Sequence, residues 1–294
     1  MSVSKLVLVT GATGNQGGAV VKALMNQSHQ VRALTRNPTS PAAKRLSEQG
    51  VEIAVGDFTD RDSLVRAARG VDTVYAMSTP FEQGVEKEIA QGIAIADAAK
   101  AAGVGHLVFS SVASADRTTG IPHFDSKYEV EKHIQSSGLP YTIIAPVFFM
   151  DNLLQPWQLP DLRQGKLPMA LPATHSLQQI AVADIGAFAA AVIGRRDGVL
   201  GQRIDIAGDE LAGDEAAAIL SRVTGREIRY EGFSPAVWRA QSEDMALMYE
   251  WFADTGYAAD INGLRRDFPE VKWHDFEAWA RAQDWSVLDG SGGA

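Results

Sequence analysis

The chain has 294 residues, 46% of them hydrophobic, and carries 27 Lys and Arg against 36 Asp and Glu, a formal net charge of −9. That length fits one large α/β domain or a large domain with a smaller lobe, and the acidic balance argues against direct nucleic-acid binding, which needs clustered cations to neutralise phosphates. The absence of cysteine removes disulfides, thiol nucleophiles, iron–sulfur clusters and Cys-type zinc sites.

In chain order, Leu6 to Val9 reads as a buried strand that stops at Thr10. A strand reached by Lys5 leaves no room for a signal peptide, and no apolar run nears the roughly 20 residues of a membrane helix, so a soluble cytoplasmic protein without membrane contact is expected. Gly11, Gly14 and Gly17 follow at a spacing of three before a helix opens around Ala19. A strand that turns sharply into a helix leaves unpaired N–H groups at the positive end of the helix dipole, a ready site for a pyrophosphate. Strands are predicted at 31–34, 51–55, 72–76, 106–109 and 141–145, and helices at 42–49, 63–68, 86–102 and 124–137. Repeated βα units of this length imply a doubly wound parallel sheet, with strand order 3-2-1-4-5-6. Beyond Pro146 the pattern loosens, and Pro156, Pro160, Pro168 and Pro172 break 152–174 into loop and short pieces. A strand at 178–182 and a helix after Ala183, with Asp184 as its N-cap, resume the pattern. Strands near 203–206 and 228–230 then bracket a helix at 214–223. Five of the six tryptophans fall in helical-looking sequence of the C-terminal third, where they read as packing for a small lobe. The expected division is a dinucleotide-binding domain over 1–150 with a returning segment near 176–207, a smaller α+β lobe over 151–175 and 208–289 that roofs the cleft, and a flexible tail at 290–294.

The end of the second strand selects the dinucleotide. NAD sites carry Asp or Glu there for the ribose 2′-hydroxyl, whereas this chain has Thr35 and Arg36. A guanidinium pairs with a 2′-phosphate that a carboxylate would repel, so NADP(H) is the expected cofactor, with Lys44 and Arg45 adding charge. Gly11, Thr13, Gly14, Asn15, Gln16 and Gly17 are expected around the pyrophosphate, Asp57 and Phe58 beside the adenine, and Ser78 and Thr79 along the sugar–phosphate chain.

Thr10–Gly18, Val31–Pro38, Gly56-Asp57-Phe58, His123–Lys127 and Pro146–Asn152 together resemble the NmrA-like branch of the atypical short-chain dehydrogenases/reductases. The resemblance implies an NADP(H)-binding Rossmann domain with a small C-terminal lobe, with Pro146 and Phe149 among the cofactor contacts. It implies either a reductase of quinones, dyes or phenolics, or a catalytically silent sensor of the NADPH/NADP ratio that binds a regulatory protein. The corresponding partners are a small-molecule acceptor or a regulatory protein, with a homodimer as the assembly to consider.

The superfamily's Tyr-x-x-x-Lys pattern occurs as Tyr128 and Lys132, but helical geometry disfavours that register. At about 100° per residue, Lys127, Val130 and Ile134 lie within about 60° of one another, whereas Tyr128 lies roughly 140° from that face and Lys132 opposite it. His123 and Lys127, at i and i+4, fall on the inward face. By the resemblance they take the Tyr and Lys positions: Lys127 binds the nicotinamide ribose and His123 relays a proton. Tyr128 with Lys132 remains the alternative. Ser110 and Ser111 end the fifth strand where the superfamily places a substrate-orienting Ser, with Val112 a competitor for that place. The six histidines lack a paired metal spacing, so no metal site is expected.

Overall fold

The computed structural model describes residues 4–80 and 83–289. In chain order its elements begin β1 (Leu6–Val9), α1 (Asn15–Asn26), β2 (Gln30–Thr35), α2 (Pro41–Glu48), β3 (Glu52–Val55), α3 (Arg61–Ala68), β4 (Thr73–Ala76), α4 (Val85–Ala101) and β5 (His106–Ser110). They continue with α5 (Pro122–Ser136), β6 (Tyr141–Pro146), β7 (Phe148–Phe149), α6 (Leu159–Arg163), β8 (Lys166–Met169), β9 (Ser176–Ile180), α7 (Val182–Gly194) and β10 (Arg203–Ile206). The chain closes through β11 (Asp209–Ala212), α8 (Gly213–Thr224), β12 (Arg229–Gly232), α9 (Ala236–Arg239), α10 (Glu243–Asp254), α11 (Ile261–Asp267) and α12 (Phe276–Arg281). Two compact units result: Met1–Pro146 with Val182–Asp205, and Val147–Ala181 with Ile206–Ala294. The tail expected at 290–294 lies outside the described residues.

The first unit is built on a seven-stranded sheet in the order β10-β6-β5-β4-β1-β2-β3, the expected order with one further strand beyond β6. The strands pair in parallel, for example Val7↔Val31 and Val74↔Leu107. Bonds from Ile143 N to Gln202 O (2.9 Å) and from Val147 N to Ile206 O (3.1 Å) advance both strands by the same step, so β10 is parallel too. A parallel sheet covered on both faces demands apolar side chains on both sides of each strand. The fully buried runs of β4 and β5 meet that demand. On one face Leu64, Ile95, Val130 and Ile134 pack with Leu8, Val74, Leu107 and Phe109. Two small residues allow close helix packing: a Cβ on Gly92 would lie 2.6 Å from Val130 of α5, and one on Gly186 of α7 2.5 Å from the Ala19 carbonyl oxygen of α1.

The second unit holds a three-stranded sheet, β11-β9-β7, and a parallel pair, β12-β8. Its core gathers Met150, Leu162, Leu167, Leu220, Phe276 and Trp279. Strand β11 was not predicted: Asp-Glu-Leu-Ala lacks a strand signature, and its antiparallel partner β9 supplies the order. The expected cap at Asp184 is incorrect. Helix α7 begins at Val182, so Asp184 sits buried in its first turn. Trp273 likewise lies in a loop and not a helix, its indole N–H bonded to the Phe268 carbonyl at 3.1 Å. Among the described residues no helix is long and apolar enough to cross a membrane.

Candidate functional site

The glycine loop closes the carboxyl end of β1. Gly11 takes φ +62°, the left-handed region open to glycine, and a Cβ there would lie 2.9 Å from the Met77 sulfur. Thr10, fully buried, ties the loop to the strand beside it: its Oγ1 donates to Met77 O at 3.2 Å and accepts from Met77 N at 2.9 Å. Gly14 caps α1 without a side-chain bond, and no acidic residue occupies the first turn. Gly18 N already reaches Gly14 O at 2.8 Å, whereas the N–H groups of Asn15, Gln16 and Gly17 have no carbonyl partner among the described residues. Gly17 is the tightest point, because a Cβ would lie 2.5 Å from the Gly11 carbonyl carbon and 2.9 Å from Ala12 N. These open donors, free of competing carboxylates at the positive end of a helix, fit a pyrophosphate. The residues present therefore suit a dinucleotide cofactor.

Around the loop the predicted positions separate into exposed and committed ones. Gly11, Thr13, Gly14 and Asn15 are exposed. Gln16 is buried, and its amide donates to Ser110 Oγ at 2.6 Å, so its side chain joins the loop to β5 and only its backbone faces outward. Arg36 is exposed in a turn organised by Asn37, whose Oδ1 accepts from the backbone N–H and hydroxyl of Thr39. Asp57 stands close enough to feel that guanidinium. Two bonds from Thr59, and then the Arg36 charge, hold its carboxyl below the usual range. Phe58 packs against the sheet's apolar layer. Ser78 is buried with its hydroxyl unpartnered among the described residues, and Thr79 is half-buried. Pro146 ends β6, buried, and Phe149 belongs to β7, paired with Ile180 in the second unit.

Helix α5 places the disputed residues. Lys127 turns inward: its side chain is 12% exposed, its Nζ lies 2.8 Å from Glu88 Oε1 and donates to the Ser78 carbonyl. The Phe109 ring centroid lies 5.7 Å from the ammonium. His123 is half-buried at the entry of α5, edge-on to Phe124 at 4.8 Å. Lys132 turns outward to bond Glu129 at 2.6 Å, and its ammonium lies over the Tyr128 ring. The apolar stripe of the helix thus carries Lys127 towards the sheet and leaves Tyr128 and Lys132 on the outer side.

One acidic group, Glu88, escaped sequence reasoning, and so did the partners of Glu131, the Glu four residues after Lys127 that the family resemblance places in this register. Glu88 on α4 is fully buried, holding Lys127 through one oxygen and the Ser126 hydroxyl through the other. Its spacing to Gly92, Ile95, Ala96 and Ala99, all on the buried side of α4, was the available signal. Glu131, also fully buried, accepts from the Ser111 hydroxyl and pairs with Arg203 Nε at 2.9 Å. Burial raises the Glu131 carboxyl above its usual range, against the pull of Arg203 and Ser111. Arg203 also donates to Val112 O at 2.8 Å and pairs with Asp116 and Asp205, which fastens the segment after β5. Among the described residues no group of three or more His, Asp or Glu could hold a metal ion.

The parallel sheet, the strand order and the glycine loop at the first βα turn define a Rossmann-type dinucleotide-binding protein. The chain belongs to the NmrA-like family, whose model matches residues 3–280. It is 33% identical over 226 residues to an NAD(P)H azoreductase of Xenophilus azovorans, covering 76% of each chain. It is 28% identical over 268 residues to quinone oxidoreductase 2 of Escherichia coli, covering 89% of this chain and 91% of that one. Among solved structures it resembles NmrA, a negative transcriptional regulator in complex with NADP, with a TM-score of 0.80 at 21% identity, covering 98% of each chain.

Proposed function

We propose that the chain binds NADP(H) and acts as an NADPH-dependent oxidoreductase on a quinone-like, carbonyl or conjugated acceptor. The observation that carries this reading is the buried ammonium of Lys127. Its Nζ donates to the Ser78 carbonyl and pairs as an ion with Glu88 Oε1 at 2.8 Å, which leaves donor capacity for a ribose hydroxyl or the oxygen of an acceptor. NADPH, when bound, supplies the hydride. The chain supplies the rest: the N–H groups of residues 15–17 hold the pyrophosphate and Arg36 the 2′-phosphate. Asp57 and Phe58 border the adenine, Ser78 and Thr79 the sugar–phosphate chain, and Pro146 the far end. His123 moves a proton to the reduced oxygen. A quinone accepts hydride with little acid catalysis, which suits a helix whose Tyr128 faces away. The azoreductase and quinone oxidoreductase relatives support the same class of reaction.

One observation favours a second reading, a redox sensor that regulates a protein partner. Both serines ending β5 are buried and bonded internally: Ser111 spends its hydroxyl proton on Glu131, and Ser110 is tied to the glycine loop by the amide it accepts from Gln16. The likeness to the NmrA regulator supports it too. A single experiment separates the two: NADPH oxidation against a panel of quinones, azo dyes, aldehydes and enones. Turnover of about 1 per second or faster on any acceptor supports the enzyme and sinks the pure sensor. Tight NADPH binding with no turnover on the panel overturns the enzyme.

A further inference from the structure

Glu88 has a role that the cofactor reading leaves unassigned. It is fully buried, and Lys127 beside it is 12% exposed, so this ion pair is shielded from water in a way that the exposed Lys132–Glu129 pair is not. Its two oxygens are separately engaged. Oε2 accepts from the Ser126 hydroxyl, one residue before Lys127 on α5, and Oε1 faces the ammonium at 2.8 Å. Glu88 also lies in the first turn of α4, where the helix dipole favours a negative charge. The carboxylate thus cancels the charge of Lys127 at the one place on α5 where a cation faces inward.

Cancellation matters because the two forms of the cofactor differ in charge. The nicotinamide ring is cationic in NADP+ and neutral in NADPH, and a group that holds the nicotinamide ribose is only a few bonds from that ring. A lone lysine there would repel NADP+ and leave NADPH untouched. We propose that Glu88 is the counter-charge of Lys127 and sets how the site discriminates between NADP+ and NADPH. This rests on the proposed contact between Lys127 and the nicotinamide ribose. Glu88 is a positioning and charge-setting residue, not a catalytic one.

The test is equilibrium titration of the whole protein with NADPH, NADP+ and 2′,5′-ADP, the last lacking the nicotinamide half. In Glu88→Gln the ratio Kd(NADP+)/Kd(NADPH) should rise about tenfold, the scale of one uncompensated charge in a partly screened site. Affinity for 2′,5′-ADP should hold. In Glu88→Gln/Lys127→Met, which removes both charges, the ratio should return to within about threefold of the wild type, since opposite charges are lost together. Ser126→Ala keeps both charges and should hold the ratio within about threefold of the wild type. Lys127→Met leaves the carboxylate uncompensated and should lower the ratio, which decides the matter should Glu88→Gln not fold. Equal weakening of all three ligands in Glu88→Gln would mark a purely structural residue and overturn the proposal. An unchanged ratio in both Glu88→Gln and Lys127→Met, with Lys127→Met still weakening NADPH but not 2′,5′-ADP, overturns the role of Glu88 alone. If Lys127→Met binds all three ligands as the wild type does, the ribose contact falls, and the counter-charge role falls with it.

Discussion

Gly17→Ala against Gly18→Ala isolates the glycine loop as a binding device. Both residues lie in the first turn of α1, where replacing glycine by alanine stabilises a helix by about 0.5–1 kcal/mol through lost unfolded-state freedom. At Gly18 nothing opposes that gain, because the nearest atom to a new Cβ is Ala12 O at 3.6 Å, an ordinary contact. At Gly17 the Cβ would lie 2.5 Å from the Gly11 carbonyl carbon and 2.9 Å from Ala12 N. Those are backbone atoms with no rotamer to yield, so the helix start must lift from the loop. Overpacking of this kind costs about 1–3 kcal/mol, outweighing the helix gain. Gly18→Ala should melt at or slightly above the wild-type temperature and bind NADPH normally. Gly17→Ala should melt several degrees lower, at about 2–4 °C per kcal/mol, and lose at least about tenfold in NADPH affinity, or 1.4 kcal/mol. Calorimetry and fluorescence titration read the two effects. Equal NADPH affinity in the two variants would refute the assignment of the open N–H groups to the pyrophosphate.

Arg36→Ala should weaken NADPH about tenfold while leaving NADH unchanged, the cost of one charge-assisted pair; equal losses for both cofactors would remove Arg36 from the 2′-phosphate site. Tyr128→Phe should retain turnover, whereas Lys127→Met should lose at least about a hundredfold in kcat/KM; the reverse pattern would restore the Tyr128 and Lys132 register. His106 makes the fold acid-labile. Thr142 Oγ1 donates to Val199 O at 2.9 Å, so it accepts from His106 Nε2 at 2.9 Å, and Nδ1 is left buried as an unprotonated nitrogen without a partner. Burial pulls the folded imidazole down to about 4 from its usual 6.5, helped by the charges of Arg196 and Lys5. The unfolded chain therefore takes this proton first, and stability present above pH 6.5 is lost as pH falls towards 4. The loss amounts to about 3 kcal/mol at 1.36 kcal/mol per pH unit. Urea melts across that range should show the slope, and His106→Leu should flatten it.

The first half of the fold was legible because its signals are local. A fully buried parallel strand shows as an apolar run, and every helix between β1 and β6 lies within a few residues of its predicted span. The inward turn of Lys127 followed from the same source, since the 3.6-residue period of Val130 and Ile134 fixes the face. The misses come from long-range partners. Strand β11 exists because β9 lies antiparallel to it, and Asp184 entered a helix turn one step earlier than its capping chemistry suggested. Glu88 was hidden differently. A charged residue in an alanine-rich helix reads as solvated, and the Lys127 ammonium and Ser126 hydroxyl arriving from α5 make its burial tolerable.

The same long-range bonds bear on what the site can do. The superfamily role of a serine at the end of β5 is to orient a substrate oxygen, which requires a hydroxyl proton to spare. Here the Ser111 hydroxyl donates to Glu131, a carboxylate with no exposure to water. Breaking that bond to serve a substrate would leave a buried charge short of a donor, with only Arg203 to stabilise it. Ser110 accepts from Gln16 in the middle of the glycine loop, so its position is tied to the cofactor cradle. Ser111 is therefore not released cheaply, and Ser110, which keeps its own proton, is held buried beside the loop. On the proposed reading, His123 and the Lys127 ammonium take the work of orienting the substrate oxygen. An acceptor whose reduction needs little more than a hydride and one proton suits such a pair. An alcohol or sugar that must be deprotonated by a strong, serine-aligned base does not.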